Sequence, residues 1–256
     1  MRTLLRGVLA VGLLVPAMVA SQEPQRDIYA DPQNLQVLPK EISSRELSET
    51  MKGFALGLGV RCETCHMGVA GKPLTTFDFA SDANPMKQKA RVMIKMLDDI
   101  NENYVGSLDD DSSEDHHLEV RCVTCHRGQA HPELIEDVME EQLAHGGVDA
   151  AVSKYAELRE RYYGSHTFDF SEMTLPMYAQ GLAQQGNTEA ALALLDINAG
   201  HFPESYYTRF LLGEVHAIAG NREQSLASFE KAIELNPRAA GFLQQRIETV
   251  KKKLPE

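Results

Sequence analysis

The residues of this chain with the clearest chemistry are its four cysteines, which form two copies of one pattern. Residues 62–66 read CETCH and residues 122–126 read CVTCH, and together they contain every cysteine of the 256-residue chain. Two thiols separated by two residues and followed at once by a histidine are typical of c-type haem attachment. The thiols add to the two vinyl groups on one edge of the porphyrin, and the adjacent histidine binds the iron. The sequence therefore predicts two covalently attached haems.

The two copies match beyond the cysteines and histidines. Residues 60–70 and 120–130 both fit VRCxTCHxGxA, which indicates an internal duplication of a haem-binding module. A zinc site of four cysteines is one alternative, and a disulfide within each CxxC pair is another. The histidine after both pairs favours haem. The predicted cofactor and iron ligands of the two motifs are Cys62, Cys65, His66, Cys122, Cys125 and His126.

A haem iron bound by one histidine has a sixth position, and its ligand decides between electron transfer and chemistry on a bound molecule. Ser43 and Glu46 fit a capping box that begins a helix before the first motif, and Gly59 ends that helix. The apolar stripe of this helix is Leu47, Met51, Phe54 and Leu58. Met51 is therefore a candidate sixth ligand, although methionine on such a stripe is also a common core residue.

A second helix is predicted to begin at Asn84 and Pro85, because proline is favoured in the first turn. Its apolar stripe is Ala90, Met93, Leu97, Ile100 and Tyr104. Met93 is the matching candidate for the sixth position of the second haem. The alternatives that remain are Met86, Met96, His116 and His117.

The N-terminus has the layout of a secretory signal peptide. Arg2 and Arg6 precede an apolar stretch over residues 7–20, so we expect export to the periplasm with cleavage near Ala20 or Ser21. An uncleaved membrane anchor is the alternative, although the stretch is shorter than the roughly 20 residues that cross a bilayer. The whole chain has 25 basic and 37 acidic side chains, which argues against nucleic acid as a partner.

The second half of the chain is predicted to be helical. Residues 132–145 form one helix that Gly146 and Gly147 stop, and a further amphipathic helix ends at Gly164. A period of 34 residues then separates Gly186 from Gly220 and Pro203 from Pro237, which is the length of a tetratricopeptide repeat (TPR). We expect the helix over 148–163 and a final helix over 239–254 to cover the two ends of this stack.

Residues 34–66, with NLQVLPKEIS and ETMKGFALGLGVRCETCH, resemble the haem module of the photosynthetic reaction centre cytochrome c subunit family. ARVMIKMLDDIN followed by VRCVTCHRG resembles it as well. In that family a helix before each CxxCH supplies the axial methionine, which implies Met51 opposite His66 and Met93 opposite His126. Long members hold four haems and use a further histidine, whose nearest position here is Ser107. The resemblance therefore implies a two-haem relative, and leaves service to a reaction centre open.

These observations predict an all-α protein with a multihaem c-type cytochrome module followed by TPR-like helical repeats. The expected division is a signal peptide at 1–21, a dihaem domain at 22–132, connecting helices at 133–170 and repeats at 171–256. The predicted function is electron transfer between redox protein partners, one of them membrane-bound, with protein docking through the repeats, and no enzyme activity. The alternatives are a docking scaffold in which the haems are secondary, and a dihaem peroxidase-like enzyme.

Overall fold

The computed structural model describes residues 27–108 and 118–255. The predicted signal peptide, His116 and His117 lie outside the described residues. Within these ranges the regular structure is helical and contains no β-strand beyond an isolated bridge between Met67 and Asp78. The prediction of an all-α fold is confirmed.

The first helix, α1, spans Ser44–Leu58 and begins where the capping box predicts. The Ser43 hydroxyl accepts a hydrogen bond from the amide of Glu46 at 3.2 Å, and the Glu46 carboxylate accepts one from the Ser43 amide at 3.0 Å. The helix ends at Gly59, which has a φ of 64°. This left-handed conformation favours glycine and turns the chain toward the first motif.

The second helix, α2, spans Pro85–Asp99 and continues as a π-helical segment over Ile100–Val105. The side-chain oxygen of Asn84 caps it by accepting a hydrogen bond from the amide of Met86 at 3.0 Å. The second motif forms a short helix, α3, over Cys122–His126. Each CxxCH motif therefore follows a longer helix in the chain, as the stripes predict.

The C-terminal half begins with α4, Ile135–Tyr162, which Gly147 interrupts with a φ of 72° and a ψ of −167°. The predicted break at the two glycines is therefore present. The remaining helices are α5 (Thr174–Gln184), α6 (Thr188–His201), α7 (Tyr206–Ile218), α8 (Arg222–Leu235) and α9 (Ala240–Lys253). Each of α5 to α8 packs against the next helix, and α4 packs on α5 and α6. The first residues of α6 and α8 lie 34 positions apart, as the predicted period requires, and those of α5 and α7 lie 32 apart. The assignment of the pairs α5–α6 and α7–α8 to the TPR type stays a prediction.

The apolar core lies in this C-terminal half. The largest fully buried side chains of the described residues include Ile135, Leu175, Leu195 and Phe229. A Cβ at Gly213 would lie 2.6 Å from the Phe229 ring, so α7 and α8 approach as closely as this glycine permits. Before Ile135, by contrast, Leu47 is the one hydrophobic side chain in the described ranges that is buried.

Candidate functional site

The first motif forms a tight turn after α1. A 3-10 turn covers Cys62–Thr64, and the amide of His66 donates a hydrogen bond to the Cys62 carbonyl at 2.9 Å. This turn brings the two cysteines and the histidine into one short segment. Burial raises the pKa of the Cys65 thiol, and the neighbouring Cys62 raises it further. Both cysteines are free, and so are the two cysteines of the second motif, which removes support for disulfides within the pairs.

The imidazole of His66 packs against an aromatic side chain. The His66 and Phe79 rings lie 5.0 Å apart between centroids, at an interplanar angle of 71°. Burial lowers the pKa of His66, and the charge of Lys87 lowers it further, while the Phe79 backbone opposes the shift. Nδ1 of His66 is buried and forms no hydrogen bond with any described residue. The neutral imidazole that results is the form that binds a metal.

The histidine of the second motif has a defined tautomer. His126 is 9% exposed, and its Nδ1 lies 2.8 Å from the Gln129 carbonyl oxygen. Because a carbonyl oxygen can only accept, Nδ1 carries the proton and Nε2 keeps a lone pair that is available to a metal. Burial is the main cause that raises the pKa of the Cys122 thiol.

Two asparagines connect α2 and its π-helical continuation to both motifs. Near the start of α2, the Asn84 side chain donates a hydrogen bond to the Thr64 carbonyl at 3.0 Å. In the π-helical segment, the Asn101 side chain exchanges two hydrogen bonds of 2.8 Å with the backbone of Val120. One continuous helical element therefore fixes the position of the first motif at one end and of the second motif at the other.

The end of α1 packs on the second motif. The Gly128 amide donates a hydrogen bond to the Gly57 carbonyl at 2.9 Å. A Cβ at Gly57 would lie 3.1 Å from the Val123 amide nitrogen, and a Cβ at Gly59 would overlap the Gly128 carbonyl oxygen. The two haem-attachment segments are therefore in contact through backbone, at positions where only glycine fits well.

The candidate methionines occupy similar positions on their helices. Met51 lies about two turns before the end of α1 and is half-buried, and Met93 lies a similar distance before the end of α2. Met93 is 42% exposed and Met96 is 45% exposed, so burial does not distinguish the two. Met86, in the first turn of α2, is also exposed. Met51 and Met93 as sixth ligands stay predictions.

The C-terminal half contacts the second motif directly. The hydroxyl of buried Thr167 donates a hydrogen bond to the Arg127 carbonyl at 3.0 Å. Arg127 follows His126 and has a φ of 49°. Thr167 thus supports the turn that follows the histidine of the second motif.

The surroundings of the two motifs fit a large apolar group. Most apolar side chains near them are exposed, in contrast to those of the C-terminal half. The exposed set includes Leu56, Met67, Val69, Leu74, Val92, Met93, Tyr104 and Val123. A porphyrin bound at each motif would cover such surface, and the two thiols and one histidine of each motif are the side chains that c-type haem attachment needs. The residues present therefore fit haem.

A zinc site is not supported by the arrangement of side chains. In the described ranges, no three His, Cys, Asp or Glu side chains come together as a metal-binding group. The four cysteines therefore do not converge on one position. The alternative of a four-cysteine zinc site loses its geometric basis.

Sequence reasoning missed two buried cations beside the first motif. Lys87 and Arg91 are 9% and 8% exposed, although a charged side chain on an amphipathic helix is ordinarily expected to face solvent. A signal was present, because Lys87 lies three residues before Ala90 and therefore in phase with the apolar stripe. A charged residue at such a position indicates a buried ionic contact.

The fold is helical, and each CxxCH motif combines two free cysteines with a histidine that can bind a metal. These features are those of a c-type cytochrome. The chain belongs to the photosynthetic reaction centre cytochrome C subunit family, whose sequence profile matches residues 12–177. It is accordingly a c-type cytochrome of electron transfer, with covalently bound c-type haem and redox partners. No curated protein and no solved structure was found to match the chain. Among the described helices, none is both long and apolar enough to cross a bilayer.

Proposed function

We propose that this protein is an exported dihaem cytochrome that transfers electrons between two redox proteins. Cys62, Cys65 and His66 hold one haem, and Cys122, Cys125 and His126 hold the other. The observation that carries the proposal is that each CxxCH motif lies on a tight helical turn with a buried or half-buried histidine. When bound, haem supplies an iron that is reversibly reduced by one electron.

The chain's own residues orient and insulate the two sites. Asn84 and Asn101 hold the two motifs at opposite ends of one helical element, so their separation is set by the backbone. The Nδ1–H of His126 donates to the Gln129 carbonyl and fixes the orientation of its ring. Met51 and Met93 would supply the second protein ligand to each iron, and an iron whose ligand positions are all filled by protein favours electron transfer over peroxide chemistry.

The proposed haem number is tested by denaturing mass spectrometry of protein made in a host with haem attachment machinery. The expected mass is that of the chain from residue 21 or 22 onward plus two haems, which also tests export and cleavage. Cys62→Ala and Cys122→Ala should each remove stable attachment at one motif only. An unmodified mass would overturn the proposal, and carbon monoxide binding to the reduced wild-type protein would favour the peroxidase-like alternative.

We also propose that the helix pairs α5–α6 and α7–α8 form a TPR-like docking surface for a redox partner. The support is that Met177 of α5 and Tyr206 of α7 are exposed on the first helices of the two pairs. Tyr207 connects these helices through its hydroxyl, 4.0 Å from the Met177 sulfur. Met177→Glu should slow reduction of the protein by membranes of its source organism without changing either haem potential. Unchanged reduction rates would remove this role.

A further inference from the structure

A buried lysine ties down the segment that precedes α2. Nζ of Lys87 donates hydrogen bonds to the carbonyls of Phe79, Ala80 and Ser81 at 2.9, 3.0 and 2.9 Å. It also lies 3.1 Å from a carboxylate oxygen of Asp82. Four oxygens surround the ammonium group, so the charge is well solvated by the protein in spite of its burial.

A second buried cation shares the same carboxylate. Nη1 of Arg91 lies 2.9 Å from Asp82, and Nη2 donates a hydrogen bond to the Asn34 carbonyl at 3.3 Å. Lys87 and Arg91 are the lysine and arginine side chains that are buried in the described ranges. Two cations and one carboxylate leave one net positive charge in this cluster.

The cluster lies beside the iron-binding histidine of the first motif. The Phe79 carbonyl that Lys87 binds belongs to the residue whose ring contacts the His66 imidazole at 5.0 Å. The charges of Lys87 and Arg91 both act on this imidazole. A haem bound by His66 would therefore lie near two buried cations, whose charge is offset in part by Asp82 and by the exposed Asp78 of the same loop.

The second motif differs in two respects. No lysine or arginine described near His126 is buried, since Arg121 and Arg127 are both exposed. The Nδ1–H of His126 donates a hydrogen bond to a carbonyl at 2.8 Å, whereas Nδ1 of His66 has no partner of comparable geometry. Such a hydrogen bond raises the basicity of the ligating nitrogen, and a more basic ligand stabilises the oxidised iron.

We propose that Lys87 and Arg91 raise the reduction potential of the haem at Cys62 and Cys65 above that of the haem at Cys122 and Cys125. Reduction adds one negative charge, so a buried cation nearby stabilises the reduced state. This inference rests on the proposed function, because it requires a haem at each motif. With this order of potentials, an electron moves favourably from the haem at Cys122 and Cys125, which is oxidised, to the haem at Cys62 and Cys65, which is reduced.

The test is a spectroelectrochemical titration of holoprotein whose mass confirms two haems. Lys87→Gln keeps a hydrogen-bond donor but removes the charge, and should shift the higher of the two potentials down by about 59 mV, a tenfold change in the reduction equilibrium. The lower potential should not move. Lys87→Arg, which restores the charge, should return the higher potential toward the wild-type value. Exposed Lys89, on the same helix, provides the control Lys89→Gln, which should leave both potentials unchanged.

Three outcomes would overturn the proposal. In the first, Lys87→Gln leaves the higher potential unchanged, and in the second it shifts the lower potential instead. In the third, Lys87→Arg lowers the higher potential as much as Lys87→Gln does, which would indicate an effect of packing rather than of charge. If Lys87→Gln does not yield holoprotein, Arg91→Gln carries the same expectation. A mass with only one haem in the wild-type protein would refute the dihaem function itself, and is distinguished from the other outcomes before any titration.

Discussion

Because α1 approaches the second motif closely, alanine substitutions at Gly53, Gly57 and Gly59 should change the free energy of unfolding by different amounts. Gly59→Ala places a side chain at a φ of 64°, which costs about 1–2 kcal/mol, and its Cβ overlaps the Gly128 carbonyl. Relieving that overlap breaks the hydrogen bond from Gly128 to Gly57, worth about 1 kcal/mol. We therefore expect Gly59→Ala to lower the free energy of unfolding by about 3 kcal/mol, or roughly 6–12 °C in melting temperature.

The other two glycines give the controls. A Cβ added at Gly53 would have no neighbouring atom within 4 Å, and this residue lies inside α1, so Gly53→Ala should stabilise the protein by up to about 1 kcal/mol. Gly57→Ala should fall between the two, because its Cβ would lie 3.1 Å from the Val123 nitrogen. Thermal unfolding of the holoproteins, followed by Soret absorbance for the N-terminal half and by circular dichroism for the whole chain, measures the series. Equal melting temperatures for Gly59→Ala and Gly53→Ala would refute the proposed contact.

Three further predictions concern individual side chains. Met51→Ala and Met93→Ala should each lower one haem potential, abolish one far-red methionine-to-iron band and admit carbon monoxide, and a variant that keeps its band disproves that ligand. Thr167→Val removes a hydrogen bond to the second motif and should cost about 1 kcal/mol in the Soret-detected transition, whereas an effect confined to circular dichroism would contradict the coupling. The pKa of Asp82 is held well below its usual range, mainly by a hydrogen bond from Arg91. The ionised carboxylate of Asp82 therefore stabilises the folded protein above about pH 4, and this stabilisation is lost as the pH falls below that value. Asp82→Asn should therefore be less stable than wild type at neutral pH, with a difference in denaturant titrations that shrinks on acidification, and a constant difference would argue against the ionic origin.

The elements that the sequence predicted well are those set by local signals. Ser43 and Glu46 lie three residues apart and cap α1 through their own backbone, and Gly59 ends the helix by a local change in φ. The break at Gly147 follows from the same kind of conformational preference. The CxxCH motifs are equally local, because the two cysteines and the histidine of each motif lie within five consecutive residues.

The contacts that the sequence did not predict join residues distant in the chain. Gly57 and Gly128 meet across the two modules, and Thr167 reaches the turn after His126 from the far side of α4. Periodicity carries no information about which helix faces which motif. Periodicity also predicts that a lysine faces solvent. Lys87 is instead buried and donates hydrogen bonds to three backbone carbonyls of the loop before α2, a contact that the sequence pattern does not predict.

The uneven distribution of apolar burial has a consequence for how this protein matures in the cell. The helices from Ile135 onward bury their own apolar side chains, so we expect them to fold without haem. The segment around the CxxCH motifs buries one hydrophobic side chain, that of Leu47, so we expect its folding to depend on covalent haem attachment. A chain without attached haem would combine folded C-terminal helices with an N-terminal segment whose apolar side chains stay exposed. We expect proteases to degrade such a chain before it reaches a redox partner. Attachment would then act as a checkpoint on which chains persist.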